Sequence, residues 1–230
     1  MMAGALILAS PHPAPDLPDL LWSPIAGRPL LAWSVAACAE TPAIAETLLL
    51  VPPERLDDAR ALREAERWAR VRIVAGSSRL RESVAAGLRE LDPACAWVVI
   101  HEAARPLATS AMLTAALDLA RATGDDIISG EPVKETVKRV RDGLVVETLP
   151  RERMARAQTP YVFRREQLLA AHASLPPERD CPDAAALALA AGLPLRITPG
   201  SPVMTSSSVS RARSSAAASS VGDASGRAAS

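Results

Sequence analysis

The chain has 230 residues, 49% of them hydrophobic, enough for a sizeable core in one α/β domain with a tail, or in a domain with a small subdomain. Its 26 Lys+Arg balance 26 Asp+Glu, so it lacks the basic excess with which a general nucleic-acid or membrane-surface binder holds an anionic partner. The three cysteines, Cys38, Cys95 and Cys181, show no CxxC or Cys/His ligand spacing and read as buried small hydrophobes in a reducing compartment. The apolar stretch from Met1 to Ala9 is too short to span a bilayer and no basic segment precedes it, so the expected location is the cytoplasm.

In chain order, short apolar runs read as strands at 5–9, 47–51, 71–75, 97–100, 127–128 and 195–198. Longer amphipathic runs read as helices at 30–40, 55–69, 80–91, 110–123, 165–173 and 184–191. Their apolar residues recur three and four apart, as at Met112, Ala116, Leu119 and Ala120. The alternation predicts an α/β fold over residues 1–200, a doubly wound, mostly parallel sheet with helices on both faces. Residues 134–148 interrupt it. Two β-prone runs, Thr136 to Val140 and Leu144 to Thr148, flank Arg141-Asp142-Gly143, and Asp-Gly between such runs is a hairpin signal. A hairpin inserted there projects as an arm, about residues 134–158, through which two chains are expected to dimerise. Residues 201–230 hold eleven serines and no Leu, Ile or aromatic residue. Such a tail cannot bury enough apolar surface to offset its chain entropy and is expected to be disordered. It reads as a native tail or as the product of a frame shift.

Five segments can carry chemistry. The first strand–helix connection, 10–19, has four prolines and no glycine, whereas a phosphate cradle there needs backbone N–H donors that proline removes. Its His12 is a ligand, a base or simply solvated. Gly76-Ser77-Ser78 follows a strand, and Ser77 or Ser78 can cap the next helix, leaving N–H groups for a base carbonyl or phosphate; an ordinary cap is the alternative. His101-Glu102-Ala103-Ala104-Arg105-Pro106 follows the buried run 96–100, where open α/β sheets bind ligands. There Glu102 can hold a metal-bound phosphate and Arg105 can clamp one directly; a solvated charge pair at a strand end is the alternative. Thr136 offers a hydroxyl between Lys134 and Lys138, the only two lysines of the chain. Arg151, Arg153 and Arg156 precede Gln158-Thr159-Pro160.

Taken in order, these segments resemble the 2-C-methyl-D-erythritol 4-phosphate cytidylyltransferase family over roughly residues 3–200. Residues 25–31 are similar to its "LxGxPLL" segment. Residues 76–88 are similar to "GGxxRxxSVxxGL", with one extra residue between Arg79 and Ser83. Residues 101–106 match "HDAARP" and residues 132–138 match "PVxDTxK", each with Glu for Asp. Residues 148–163 match "TxxR…QTPQxF", with Tyr161 for the second Gln.

The resemblance implies a Rossmann-like nucleotidyltransferase domain. It implies transfer of CMP from CTP to 2-C-methyl-D-erythritol 4-phosphate, with release of pyrophosphate, in isoprenoid precursor biosynthesis, with Mg2+ as the divalent metal. It implies Gly76, Ser77 and Ser83 at the cytosine and ribose, and Glu102 at the metal. Glu102, Arg105, Thr136 and Thr159 would hold the sugar-phosphate acceptor. Arg151 would orient the acceptor phosphate, with Arg151 and Arg105 as the catalytic residues. The hairpin would be a homodimer arm, so that part of each site comes from the other subunit. The family's glycine-rich "AAGxGxR" loop, its lysine near Leu20 and its C-terminal "NxKxT" motif are not matched. Two other readings therefore stay open: a non-catalytic relative acting as a binding or regulatory module, and a cytidylyltransferase for another polyol phosphate.

Overall fold

The computed structural model describes residues 1–9, 20–179 and 181–201. The proline-rich connection 10–19 with His12, and the tail beyond Ser201, lie outside the described residues.

The strand Met2–Leu8 (β1) is buried at every position after Met2. It can be so apolar because it lies mid-sheet, covered on both faces. A two-residue strand pair, Pro24–Ile25 (β2) and Arg28–Pro29 (β3), leads into helix Leu30–Ala39 (α1). Ala26 and Gly27 turn between them with positive φ. The helix thus begins at Leu30, as expected, and residues 25–29 before it form the strand pair and its turn. There follow Ile44–Val51 (β4), Leu56–Ala65 (α2), Val71–Ala75 (β5), Leu80–Glu90 (α3), Cys95–Glu102 (β6), Ser110–Thr123 (α4) and Asp126–Pro132 (β7). The hairpin comes next, Val137–Arg141 (β8) and Leu144–Leu149 (β9), and then Ala155–Arg164 (β10), Arg165–Ser174 (α5), Ala184–Ala190 (α6) and Leu195–Pro199 (β11).

Seven strands form one sheet in the order β11-β7-β10-β6-β1-β4-β5. All are parallel except β10, which runs antiparallel to both β6 and β7. This strand was not expected from the sequence, because arginines and Thr159-Pro160 obscure its period; Tyr161, Val162 and Phe163 are buried in it. The chain leaves β1 toward β4 and β5, then crosses back to place β6 on the other side of β1. The crevice between the carboxyl ends of β1 and β6 is thus the switch point of a doubly wound sheet.

The pleat sorts the core. Ala5, Ile7, Leu49 and Val99 face α1, α2 and α4, while Leu6, Leu8, Leu50 and Ile100 face α3, α5 and α6. Helix ends follow local chemistry: the Thr109 hydroxyl caps α4 by accepting from Met112 N at 3.3 Å, and Gly124, with φ 73°, closes it. Cys38, Cys95 and Cys181 are all buried thiols, as expected. The hairpin turns on Asp142 and Gly143, both at positive φ, as a two-residue Asp-Gly loop requires.

Helices α3 and α5 are joined by one buried guanidinium. Arg81 donates to the carbonyls of His172 (3.0 Å), Leu175 (2.8 Å), Arg179 (3.1 Å) and Pro176, the first in the last turn of α5 and the other three in the loop that follows it. Arg81→Met keeps the stem and strands those acceptors. Urea denaturation is expected to show a loss of about 3 kcal/mol, the scale of charged hydrogen bonds removed from buried partners.

Candidate active site

Strand β6 ends on His101 and Glu102, two residues further than the sequence suggested, and the chain turns at once. The turn is tied from every side. Arg105 N donates to Glu102 O at 3.1 Å and Ala103 N to Leu8 O at 3.0 Å, which stitches it to the end of β1. The hydroxyl of Ser34, buried in α1, donates to Ala103 O at 2.9 Å. Arg105 Nε donates to Glu102 Oε2 at 2.7 Å, with the Arg105 side chain 12% exposed and that of Glu102 39%. This is a charge-assisted bond that fixes the plane of the guanidinium. Beneath it, Thr159 Oγ1 accepts from Glu102 N at 3.2 Å and lies 3.0 Å from His101 Nδ1. Burial pushes the His101 imidazole down to a pKa of about 4, so it is neutral near pH 7.

At the end of β5, three expected residues come together. Gly76 N donates to Val51 O at 2.7 Å. Ser77 N donates to Ser83 Oγ at 2.8 Å, and Ser83 Oγ donates back to Ser77 O at 3.0 Å. A Cβ on Gly76 would lie 3.2 Å from Ser83 Oγ and 3.3 Å from Val51 O, so glycine is what lets the turn close over the serine. Neither Ser77 nor Ser78 is the helix cap expected from the sequence; Arg79 holds that position, in an extended conformation. The reason is competition. Ser77 Oγ instead accepts from Arg79 N at 3.2 Å and donates to Glu82 Oε2 at 2.5 Å; its hydrogen bond is the leading cause holding the Glu82 carboxyl below its ordinary pKa.

Glu102, Arg105 and Thr159 are thus one cluster, and Gly76, Ser77 and Ser83 a second, both at carboxyl ends of the sheet. Thr136 and Arg151 are not brought into either by any bond among the described residues. Thr136 is exposed just before β8, and Arg151 NH1 donates to Lys134 O at 2.7 Å at the root of the arm. Sequence reasoning missed the buried support. Glu131 Oε2 accepts from Arg156 at 2.6 Å and from Gln158 Nε2 at 3.4 Å, and Gln158 Oε1 takes Ser201 N at 3.0 Å. Tyr161 donates to Asp183 Oδ2 at 2.8 Å while Asp183 Oδ1 caps α6 through Ala186 N at 2.7 Å. Polar residues inside an apolar strand were the available signal. Among the described residues no three His, Cys, Asp or Glu side chains gather as a preformed metal site. Magnesium is commonly held by one or two carboxylates together with substrate phosphates, and the carboxylate at this turn is that of Glu102, paired with Arg105.

A family model described as IspD: 2-C-methyl-D-erythritol 4-phosphate cytidylyltransferase matches residues 16–213. The chain is 36% identical over 188 residues to the bifunctional enzyme IspD/IspF of Paracoccus denitrificans, covering 81% of this chain and 47% of that one. It is 34% identical over 150 residues to the 2-C-methyl-D-erythritol 4-phosphate cytidylyltransferase of Dehalococcoides mccartyi, covering 64% and 65%. It therefore spans about half to two thirds of these relatives' length. A solved 4-diphosphocytidyl-2C-methyl-D-erythritol synthase from Anaerococcus prevotii has the same fold, with a TM-score of 0.80 at 21% identity over 93% of this chain and 95% of that one.

The buried imidazole makes stability depend on pH. Its folded pKa of about 4 lies below the ordinary 6.5, so between those values the unfolded chain holds a proton that the folded chain lacks. Stability then falls as pH drops through that window, by about 3 kcal/mol from this group alone. Urea midpoints at pH 7 and pH 4.5 are expected to fall further apart in the wild type than in His101→Gln.

Proposed function

This chain belongs to the 2-C-methyl-D-erythritol 4-phosphate cytidylyltransferase family, and we propose that it transfers the cytidylyl group of CTP to the phosphate of 2-C-methyl-D-erythritol 4-phosphate. An oxygen of the acceptor phosphate attacks the α-phosphorus of CTP. The bond from that phosphorus to the bridging oxygen breaks, and pyrophosphate leaves. The protein's work in such a displacement is positioning and charge stabilisation.

The observation that carries this reading is the Glu102–Arg105 pair, fixed just beyond β6 at the switch point of the sheet. Glu102 sets the guanidinium plane, and Arg105 offers fixed positive charge to an acceptor phosphate with no rearrangement at the moment of reaction. The second cluster suits the nucleoside end: a glycine in the Gly76-Ser77 turn lets the backbone come close to a ring or ribose, and the Ser83 hydroxyl holds the turn in place. When bound, magnesium supplies charge neutralisation of the nucleotide's phosphates, with Glu102 as its protein carboxylate.

The arm supports a homodimer. Val140, Leu144, Val145 and Val146 are 53–71% exposed on a two-stranded ribbon, and an isolated ribbon of this kind is marginal in water without something to cover it. Arg151 stands at the root of that arm, from which it would serve the other subunit's acceptor phosphate. No helix among the described residues is long and apolar enough to cross a membrane.

Protein mixed with CTP, magnesium and 2-C-methyl-D-erythritol 4-phosphate is expected to release pyrophosphate; no release from folded protein at high concentration overturns the proposal. Arg151→Ala is expected to abolish turnover, and Arg105→Ala to raise the acceptor KM by roughly tenfold or more, the cost of a lost charged contact. In light scattering the chain is expected at twice its 24.2 kDa mass, and Val145→Asp is expected to yield monomers.

A further inference from the structure

The side chain joining the turn beyond β6 to β10 is His101, which none of the roles above uses. It has no accessible surface, and each ring nitrogen meets one partner. Nδ1 lies 3.0 Å from Thr159 Oγ1 and Nε2 lies 3.3 Å from Arg105 O. A carbonyl oxygen only accepts, so Nε2 carries the proton of the neutral ring and Nδ1 is the acceptor. The Thr159 hydroxyl therefore donates to Nδ1, and the same oxygen accepts from Glu102 N at 3.2 Å. One polarity runs through the set: Glu102 N–H to Thr159, Thr159 O–H to His101, His101 Nε2–H to Arg105 O. Both ends of the chain of bonds lie on the turn that carries the Glu102 and Arg105 side chains.

We propose that His101 is a positioning residue for the cytidylyl transfer: it anchors the Glu102–Arg105 turn to β10 and commits the Thr159 proton inward. Thr159 then has a lone pair left for a hydroxyl of the acceptor polyol and no proton to offer its phosphate. A hydroxyl has one donor and two acceptor positions, and the donor and one acceptor are already used. This assigns Thr159 to recognition of the polyol and leaves the phosphate to the arginines. The inference rests on the function proposed above.

The test separates the two. His101→Phe keeps a buried ring and removes both nitrogens. His101→Asn returns an amide oxygen near the Nδ1 position, and His101→Gln an amide nitrogen near Nε2. We expect His101→Phe to lose about 100-fold in kcat/KM for the acceptor, with the KM for CTP within about twofold, as for a group displaced by an ångström. His101→Asn and His101→Gln should each recover part of the loss. Folded His101→Phe with wild-type kcat/KM overturns the proposal. Should His101→Phe not fold, Thr159→Val removes the inward donor at nearly constant volume and is expected to show the same acceptor-specific loss; wild-type kinetics from it overturn the proposal equally. The tautomer is read without turnover, from long-range proton–nitrogen correlations of the wild-type imidazole at pH 7. Protonation at Nε2 alone is expected, and protonation at Nδ1 overturns the relay. A wild-type protein that releases no pyrophosphate would remove the functional reading while this spectrum still decides the relay.

Discussion

The site depends on a short polar turn being held rigid at the mouth of an apolar sheet. The strand that leads to it is buried along nearly its whole length, so any backbone group that fails to pair at its end loses water without gaining a partner. The structure meets this from three elements: the Leu8 carbonyl of β1, the Ser34 hydroxyl of α1, and the Thr159 hydroxyl of β10. Because β10 is the one antiparallel strand, its early residues, Gln158 and Thr159, lie at the same edge as the carboxyl ends of β6 and β7. A parallel strand in that position would bring its own end there instead, and with it a different set of side chains. The inserted antiparallel strand is thus what brings the Gln158-Thr159 segment beneath the turn.

Arginine is abundant here, yet much of it is structural. Arg28 pairs with Glu66 at 2.6 Å and lies 4.7 Å from the Trp33 ring centroid. Arg81 is spent on four carbonyls between α3 and α5. Arg164 lies over Trp97 and donates to Gly124 O. The planar fork suits all of these tasks, since it can serve carbonyls, carboxylates and ring faces at once. Counting cations therefore says little about where phosphate is held. What distinguishes Arg105 is its address, beside the switch point with its plane set by a neighbouring carboxylate.

The arm shows a different balance. Its turn is built from Asp142 and Gly143, and its cross-strand pairs, Lys138 with Thr148 at 2.7 Å and Arg139 with Glu147 at 2.8 Å, are all local. Nothing in the sheet covers its valines. Its root, in contrast, is fixed by non-local bonds through Glu131, Arg156 and Gln158. The ribbon is thus fixed at its base by distant partners and along its length only by its own cross-strand pairs, with Arg151 at its root.

Most strands and helices, the sheet class and the hairpin were legible in the residues themselves, because period, caps and Asp-Gly turns are properties of neighbours along the chain. So was the place of residues 101–106 at the end of a buried strand, where an apolar run meets a carboxylate and a guanidinium. Ser77 shows where local reading stops: its sequence suggests a cap, but Ser83 and Glu82 compete for its backbone and hydroxyl, and Arg79 takes the position. Only the tertiary structure decided that 155–164 forms a strand, that it runs against its neighbours, and that His101 meets Thr159 from 58 residues away. Those outcomes follow from which buried polar groups must find partners once the sheet has closed, and that requirement is set by spatial neighbours far apart in the chain.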